Sequence, residues 1–436
     1  MATQVQTIPR PEPSILRRAV AGASIGSFVE FYDYAIYGYL AATLGALFFP
    51  SENPTASLLS SFAVFAVAFF VRPLGGVISG YFGDKIGRQL TLAVLSLAMA
   101  GCTTAIGLLP TYASIGIAAP ILLLLLRLMQ GFSAGGEIIG AMSFVAEYSP
   151  EGRRGFLTSW VQFASISGLV VGSVLATLLA FNLSAASMSS WGWRIPFLVA
   201  APLGIIGLYI RLRLEDTPKF QALVRAREVA ENPLGETLSK GEHYREMAQT
   251  VGIAIVNGVP YFILLTYMPT YLSQVVGFPM SDAFLSLTIA MVILLAAIPF
   301  MATLSDRVGR KPMLIGACIG FLVLSYPCFL LISQGRFLSA MVGQIILGVT
   351  LASYAGVTHA TLTELFATRI RFSGYAISYN LSTAVFGGTA PLLMTYLIGS
   401  LGSIFAPAFY IMVAALLSLV TVLTIRETAK VPLRDV

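Results

Sequence analysis

The chain has 436 residues, 57% of them apolar and only 11% charged, against about 25% charged in an ordinary soluble domain. That composition excludes a large water-soluble enzyme. A net charge of +6 could suggest nucleic acid, but the positions of the basic residues give it another meaning.

The N-terminus, MATQVQTIPRPEPSILRR, is polar and carries three prolines. It lacks a short apolar core ending in a small-residue cleavage site, so residues 1–18 read as a cytosolic tail and not as a signal peptide. Twelve apolar spans follow, at roughly 19–48, 57–82, 90–110, 118–146, 156–181, 193–212, 248–274, 283–304, 312–332, 337–365, 373–398 and 404–425. About 20 apolar residues suffice for a helix to cross a bilayer. The expected fold is therefore an all-α membrane protein: a six-helix bundle over 19–212, a linker over 213–247, a second bundle over 248–425 and a tail at 426–436. Cys102, Cys318 and Cys328 lie in apolar segments without metal-ligand spacing, so neither a disulfide framework nor a zinc site is expected.

An even number of spans puts both termini on one side. With the termini in the cytoplasm, 22 of the 26 Lys and Arg fall in inner segments, and only Arg194 and Arg336 sit near the outer side. The positive-inside rule then sets the orientation. The basic balance follows from topology, with no nucleic acid as partner.

The chain also repeats itself. GYFGDKIGRQ after the second span corresponds to ATLSDRVGRK after the eighth, with Asp84 and Asp306 222 residues apart. Glu147 and Glu364, and likewise Gly131 and Gly348, are 217 apart. Parallel repeats of this kind are a transporter architecture, with the site at the midplane between the halves. Asp-basic-x-Gly-Arg after spans two and eight is the signature of the major facilitator superfamily, which the chain resembles over almost its whole length. More narrowly it resembles the metabolite:proton symporter family of bacteria, which includes citrate, α-ketoglutarate, shikimate and proline/betaine permeases. VEFYDYAIYG, VRPLGG, RLMQGFSAGGE, WGWRIPF and FGG carry that likeness. The resemblance implies two pseudo-symmetric bundles, alternating access and proton-coupled uptake of organic acids or zwitterionic osmolytes. It also implies that the loop motifs, Asp84 with Arg88 and Asp306 with Arg310, act as latches in gating.

Five charges lie inside spans: Glu30, Asp33, Glu137, Arg72 and Arg127. Ionisable groups at such depth usually face a cavity and pair. With three acids to two bases, one carboxylate lacks a full partner, and removal from water favours its protonated form. Counted from the basic ends, Glu30, Arg72 and Glu137 share one depth, and Asp33 lies between that layer and Arg127. Asp33 is placed first as proton carrier, Glu137 second and Glu30 third. Glu30, Asp33, Tyr34 and Tyr37 share a helix face. Arg127, whose planar fork matches a carboxylate, is the expected substrate ligand, with Gln344 at the matching repeat position. Tyr37 and Gln162 join it from the first half, and Asn257, Tyr261, Tyr379 and Asn380 from the second. His359 reads as a neutral, hydrogen-bonded residue near the inner gate. No nucleophile–base pair, metal cluster or nucleotide-binding motif is legible, so the protein is not expected to be an enzyme, and the proton is its only expected coupling ion.

The leading expectation is a monomeric importer of a small organic acid in the bacterial cytoplasmic membrane. The alternative is a proline- or betaine-type osmolyte symporter. Residues 426–436 carry no heptad pattern of the kind that extends some osmolyte carriers, which favours the acid.

Overall fold

The structure is a computed structural model that describes residues 13–86, 88–212, 243–367, 371–431 and 433. Most of the linker expected at 213–247, the first part of the N-terminal tail and the end of the C-terminal tail lie outside these residues, as do the side chains of Asp84 and Arg88. The described chain is helical, with no strand. In hydrocarbon, every backbone N–H and C=O must be satisfied within the protein, and a helix does that within its own segment.

The first half holds α1 (Pro13–Tyr39, continued by Ala41–Phe48), α2 (Pro54–Ile86), α3 (Arg88–Leu108), α4 (Ala118–Ala134 and Glu137–Tyr148), α5 (Arg154–Asn182) and α6 (Arg194–Leu212). The second holds α7 (Tyr244–Val276), α8 (Met280–Val308), α9 (Arg310–Ile332), α10 (Phe337–Leu365), α11 (Arg371–Leu401) and α12 (Ala406–Thr424). Among the described residues nine helices are each long and apolar enough to cross a membrane, and α6 joins them through a 43° bend from a short preceding segment. The expected spans match these helices to within a few residues, because apolar length alone sets where a chain can leave the bilayer.

Glycine and charge mark the ends and breaks. Helix α8 carries Asp282 in its first turn and Arg307 in its last, each complementing the helix dipole. It stops at Gly309, whose φ of +119° suits a residue without a Cβ. That turn starts α9 at once and brings Arg310 beside Asp306. Helix α4 is interrupted at Gly135 and Gly136, so Glu137 opens its second segment, where a carboxylate is favoured by the dipole.

Across the middle, α5 packs on α8 and α2 on α11, pairs that the internal repeat relates to each other. Within the first half α2 and α4 meet backbone to backbone. A Cβ on Gly75 would collide with the Phe132 carbonyl, one on Gly131 with the Ala68 carbonyl, and one on Gly135 with the Arg72 carbonyl. Without a hydrophobic driving force between helices, such close approach of small residues supplies the packing energy. It also lays Arg72 directly against the break in α4.

Gly131→Leu is expected to force α2 from α4 at a cost of about 1–3 kcal/mol or more. Thermal unfolding in detergent, followed by fluorescence and size exclusion, should show a lower Tm and aggregation. Gly101→Ala, where a Cβ meets nothing within 4 Å, is expected to leave the Tm unchanged or raise it.

Candidate functional site

Two arginine–carboxylate pairs lie inside the first half, and their surroundings differ. Arg127 Nη1 donates to Asp33 Oδ2 at 2.9 Å, with both side chains almost fully buried. Asp33 Oδ1 accepts from Thr103 Oγ1 at 2.8 Å and from Gln130 Nε2 at 2.7 Å. Gln130 Oε1 accepts from Arg127 Nη1 in turn, at 2.9 Å. The guanidinium carbon sits 4.3 Å from the centre of the Tyr37 ring, and Tyr37 donates to the Ser61 carbonyl. Both oxygens of Asp33 are thus engaged.

Arg127 Nε and Nη2 are buried without a partner, whereas in the other pair the carboxylate too is incompletely engaged. Arg72 Nη2 donates to Glu30 Oε1 at 2.9 Å, and Tyr34 Oη, one turn along α1, donates to the same oxygen at 3.0 Å. Glu30 Oε2 and Arg72 Nε are buried without a hydrogen-bond partner. Arg72 also reaches the Ala134 carbonyl beside the α4 break and lies over the rings of Tyr34 and Phe69. Glu137, in the second segment of α4, accepts from Ser96 Oγ at 3.3 Å.

Between the halves lies a cavity of about 20 Å³, room for little more than one water. From the first half Phe31, Arg72, Ile138 and Gln162 line it; from the second come Asn257, Gly258, Tyr261, Phe262, Tyr379 and Thr383. Of the residues expected to bind substrate, Gln162, Asn257, Tyr261 and Tyr379 meet here. Asn257 Nδ2 donates to Tyr379 Oη at 3.0 Å. Arg127 and Tyr37 do not line the cavity. The charge that does is Arg72, which the sequence presented as a counter-ion. Asn380 stands just outside and ties the halves together, donating through Nδ2 to the Gly135 carbonyl at 2.7 Å. His359 bonds Tyr375 Oη through Nδ1, and its ring lies 5.4 Å from that of Tyr379. Gln344 faces α8 and donates to Ser286 Oγ.

Sequence reasoning missed Phe31, Phe262, Ile138 and Thr383 as lining residues, and Thr103 and Gln130 as partners of Asp33. Gln130 stands three residues after Arg127 on one helix face, which was a usable signal. For Thr103, on another helix, there was none.

Contacts between the halves flank the cavity on both sides. On the face that carries the basic loops, Asp306 caps α5 of the other half: its two oxygens accept from the backbone N–H groups of Gly155 and Phe156, both at 2.9 Å. A carboxylate at a helix N-terminus is favoured by unpaired N–H groups and by the dipole. Arg310 holds Asp306 at 2.7 Å and reaches Glu364 at 3.4 Å. Arg154 lies 3.6 Å from Glu364, and Arg371 pairs with Glu147 at 2.8 Å across the halves. The segment after α12 braces this face. Burial alone would raise the pKa of Glu427, but the backbone N–H groups of Ala429, Arg310, Lys311 and Thr428 hold it below the usual carboxylate range. Thr428 Oγ1 donates to Glu364 and Arg154 donates to the Val431 carbonyl. Towards the opposite face, Phe65 and Phe69 of α2 pack on Phe262 of α7, and Phe62 on Tyr267. Ser173 of α5 bonds Thr288 of α8 at 2.6 Å.

The chain matches the family of sugar (and other) transporters over residues 19–251 and again over 233–436. It is 42% identical over 429 residues to a proline/betaine transporter of Salmonella typhimurium, covering 96% of this chain and 85% of the relative. It is 41% identical over 427 residues to a glycine betaine/proline/ectoine/pipecolic acid transporter of Dickeya dadantii, again covering 96% and 85%. Among solved structures, the proton:xylose symporter XylE bound to 6-bromo-6-deoxy-D-glucose has a TM-score of 0.76 at 17% identity, covering 96% of this chain and 99% of that one, a likeness of fold.

Asp33→Asn leaves the buried charge of Arg127 uncompensated, a loss of about 3–5 kcal/mol. A lower Tm and folded yield in detergent are expected, with partial recovery in the double variant Asp33→Asn, Arg127→Gln. Asp306→Ala frees the N-terminus of α5 and is expected to loosen the basic face. With the native cysteines replaced and Ile138→Cys as reporter, thiol labelling from that face should speed several-fold; an unchanged rate would count against the latch.

Proposed function

The chain belongs to the sugar (and other) transporter family within the major facilitator superfamily, and on that premise we propose that it is a proton-coupled symporter of a small zwitterionic osmolyte of the proline or glycine betaine type. The organic acid expected from the motifs gives way here, because relatives about 41–42% identical along most of the chain are proline and betaine transporters. The protein is a multi-pass membrane protein, and neither its relatives nor its fold neighbours are enzymes. Bacterial relatives and the one-sided distribution of Lys and Arg support the cytoplasmic membrane, with the basic face and both termini inside.

The observation that carries the reading is the Glu30–Arg72 pair beside the cavity, with Arg72 Nε and Glu30 Oε2 both unpartnered. A guanidinium fork suits the carboxylate of a zwitterion. When the substrate carboxylate takes Arg72, Glu30 loses its counter-charge in a water-poor interior and holds a proton in its place. Substrate and proton then cross together. Glu30 replaces Asp33 as the first choice of carrier, since Asp33 is held by three other side chains. A neutral zwitterion with one proton carries net positive charge, so a negative-inside potential drives it inward. The cavity has room for about one water, less than such a substrate needs. Binding requires the halves to part on one face, with Asp306, Arg310 and their partners latching the inner side. The whole cavity comes from one chain, which supports a functional monomer.

Glu30→Gln mimics a permanently protonated carrier. In proteoliposomes it is expected to lose accumulation of proline and glycine betaine driven by an imposed proton gradient, while keeping exchange between internal and external substrate. Continued accumulation against a concentration gradient would overturn Glu30 as the coupling residue. Gradient-driven accumulation of di- or tricarboxylates by the wild type, without proline or glycine betaine, would overturn the substrate class.

A further inference from the structure

Among the described residues that line the cavity Arg72 is the only charged one. It answers to the substrate carboxylate, and no acid in the lining answers to the ammonium. Two neutral devices are present instead. The first is a pair of amide oxygens, Gln162 Oε1 on α5 and Asn257 Oδ1 on α7, both buried and without a hydrogen-bond partner. One comes from each half. Asn257 donates through Nδ2 to Tyr379 Oη, and its oxygen is free for a ligand. The second device is aromatic: Phe31 from α1 and Tyr261 from α7 line the same cavity with ring centres 5.7 Å apart, edge to face.

These devices suit different ammonium groups. Proline carries a secondary ammonium with two N–H donors. Glycine betaine carries a fully methylated one with none, and such a cation is held by the faces of aromatic rings. Buried acceptors gain only when a donor meets them. We propose that Gln162 and Asn257 together read an ammonium that still bears hydrogens, one N–H to each half, while Phe31 and Tyr261 hold a fully methylated ammonium. One cavity thereby accepts both kinds of osmolyte through separate residues. The two N–H bonds also tie the halves to each other across the substrate.

This inference rests on the zwitterion reading, and its test separates the two. Proline and N,N-dimethylproline share ring and carboxylate and differ only in the N–H groups. Uptake of each is measured in proteoliposomes for wild type, Gln162→Met, Asn257→Leu, Tyr261→Leu and Tyr261→Phe. Loss of a hydrogen bond to a charged group corresponds to about tenfold or more. Gln162→Met and Asn257→Leu should therefore lower kcat/KM for proline at least tenfold while leaving N,N-dimethylproline within about threefold. Tyr261→Leu should do the reverse, and Tyr261→Phe should keep both. Comparing two substrates on one variant cancels differences in expression. For a variant that does not transport, the shift in Tm that each compound gives the purified protein reads the same ratio. Equal losses for both compounds in the amide variants would overturn the division of labour. A wild type that carries and binds neither compound would overturn the zwitterion reading, and the inference with it.

Discussion

The hydrocarbon core offers a buried charge no water, so each ionisable side chain placed there must find its partner within the protein. The rest of this structure is organised around how the two intramembrane arginines meet that demand. Arg127 and Asp33 are enclosed with Gln130 and Thr103 in a network that engages both carboxylate oxygens. Such a network makes one arrangement of α1, α3 and α4 strongly preferred, because pulling any member away leaves charge exposed to apolar surroundings. Arg127 keeps Nε and Nη2 without a partner, but it does not line the cavity and both oxygens of its carboxylate are taken; Arg72 lines the cavity, and its carboxylate, Glu30, keeps Oε2 unpartnered. One pair therefore fits a scaffold and the other an exchange of partners.

The difference depends on backbone packing. Gly75, Gly131 and Gly135 let α2 and α4 touch without side chains between them, and the interruption of α4 at Gly135 and Gly136 lies against Arg72. Asn380 of the second half uses the same place, donating to the Gly135 carbonyl. These glycines thus serve helix approach, and they bring the functional arginine to the seam between the halves.

Closure at the two ends rests on different physics. The basic face is latched by charge-assisted bonds, above all Asp306 on the N-terminus of α5, and is braced by Glu427 and Thr428 after α12. Towards the other face the contacts are mainly aromatic packing between α2 and α7. Directional bonds to a helix terminus break as a set, whereas ring packing yields by degrees, so the basic end is the more switch-like of the two.

The sequence by itself determined the membrane class, the twelve spans, the duplication and the five intramembrane charges, because apolar length and the scarcity of charge are one-dimensional properties. It also held Glu30 with Tyr34, neighbours within one helix, since helical periodicity places residues three or four apart on one face, and it marked Asp306 with Arg310 through the repeated loop motif, whose turn at Gly309 brings them together. Only the tertiary structure decided which arginine faces the cavity. Depth along the membrane can be counted from a sequence, but the rotation of each helix about its axis and the closeness of its neighbours cannot. Those two quantities, set here by glycine contacts between α2 and α4 and by Gln130 and Thr103 around Asp33, enclosed Arg127 and left Arg72 at the site.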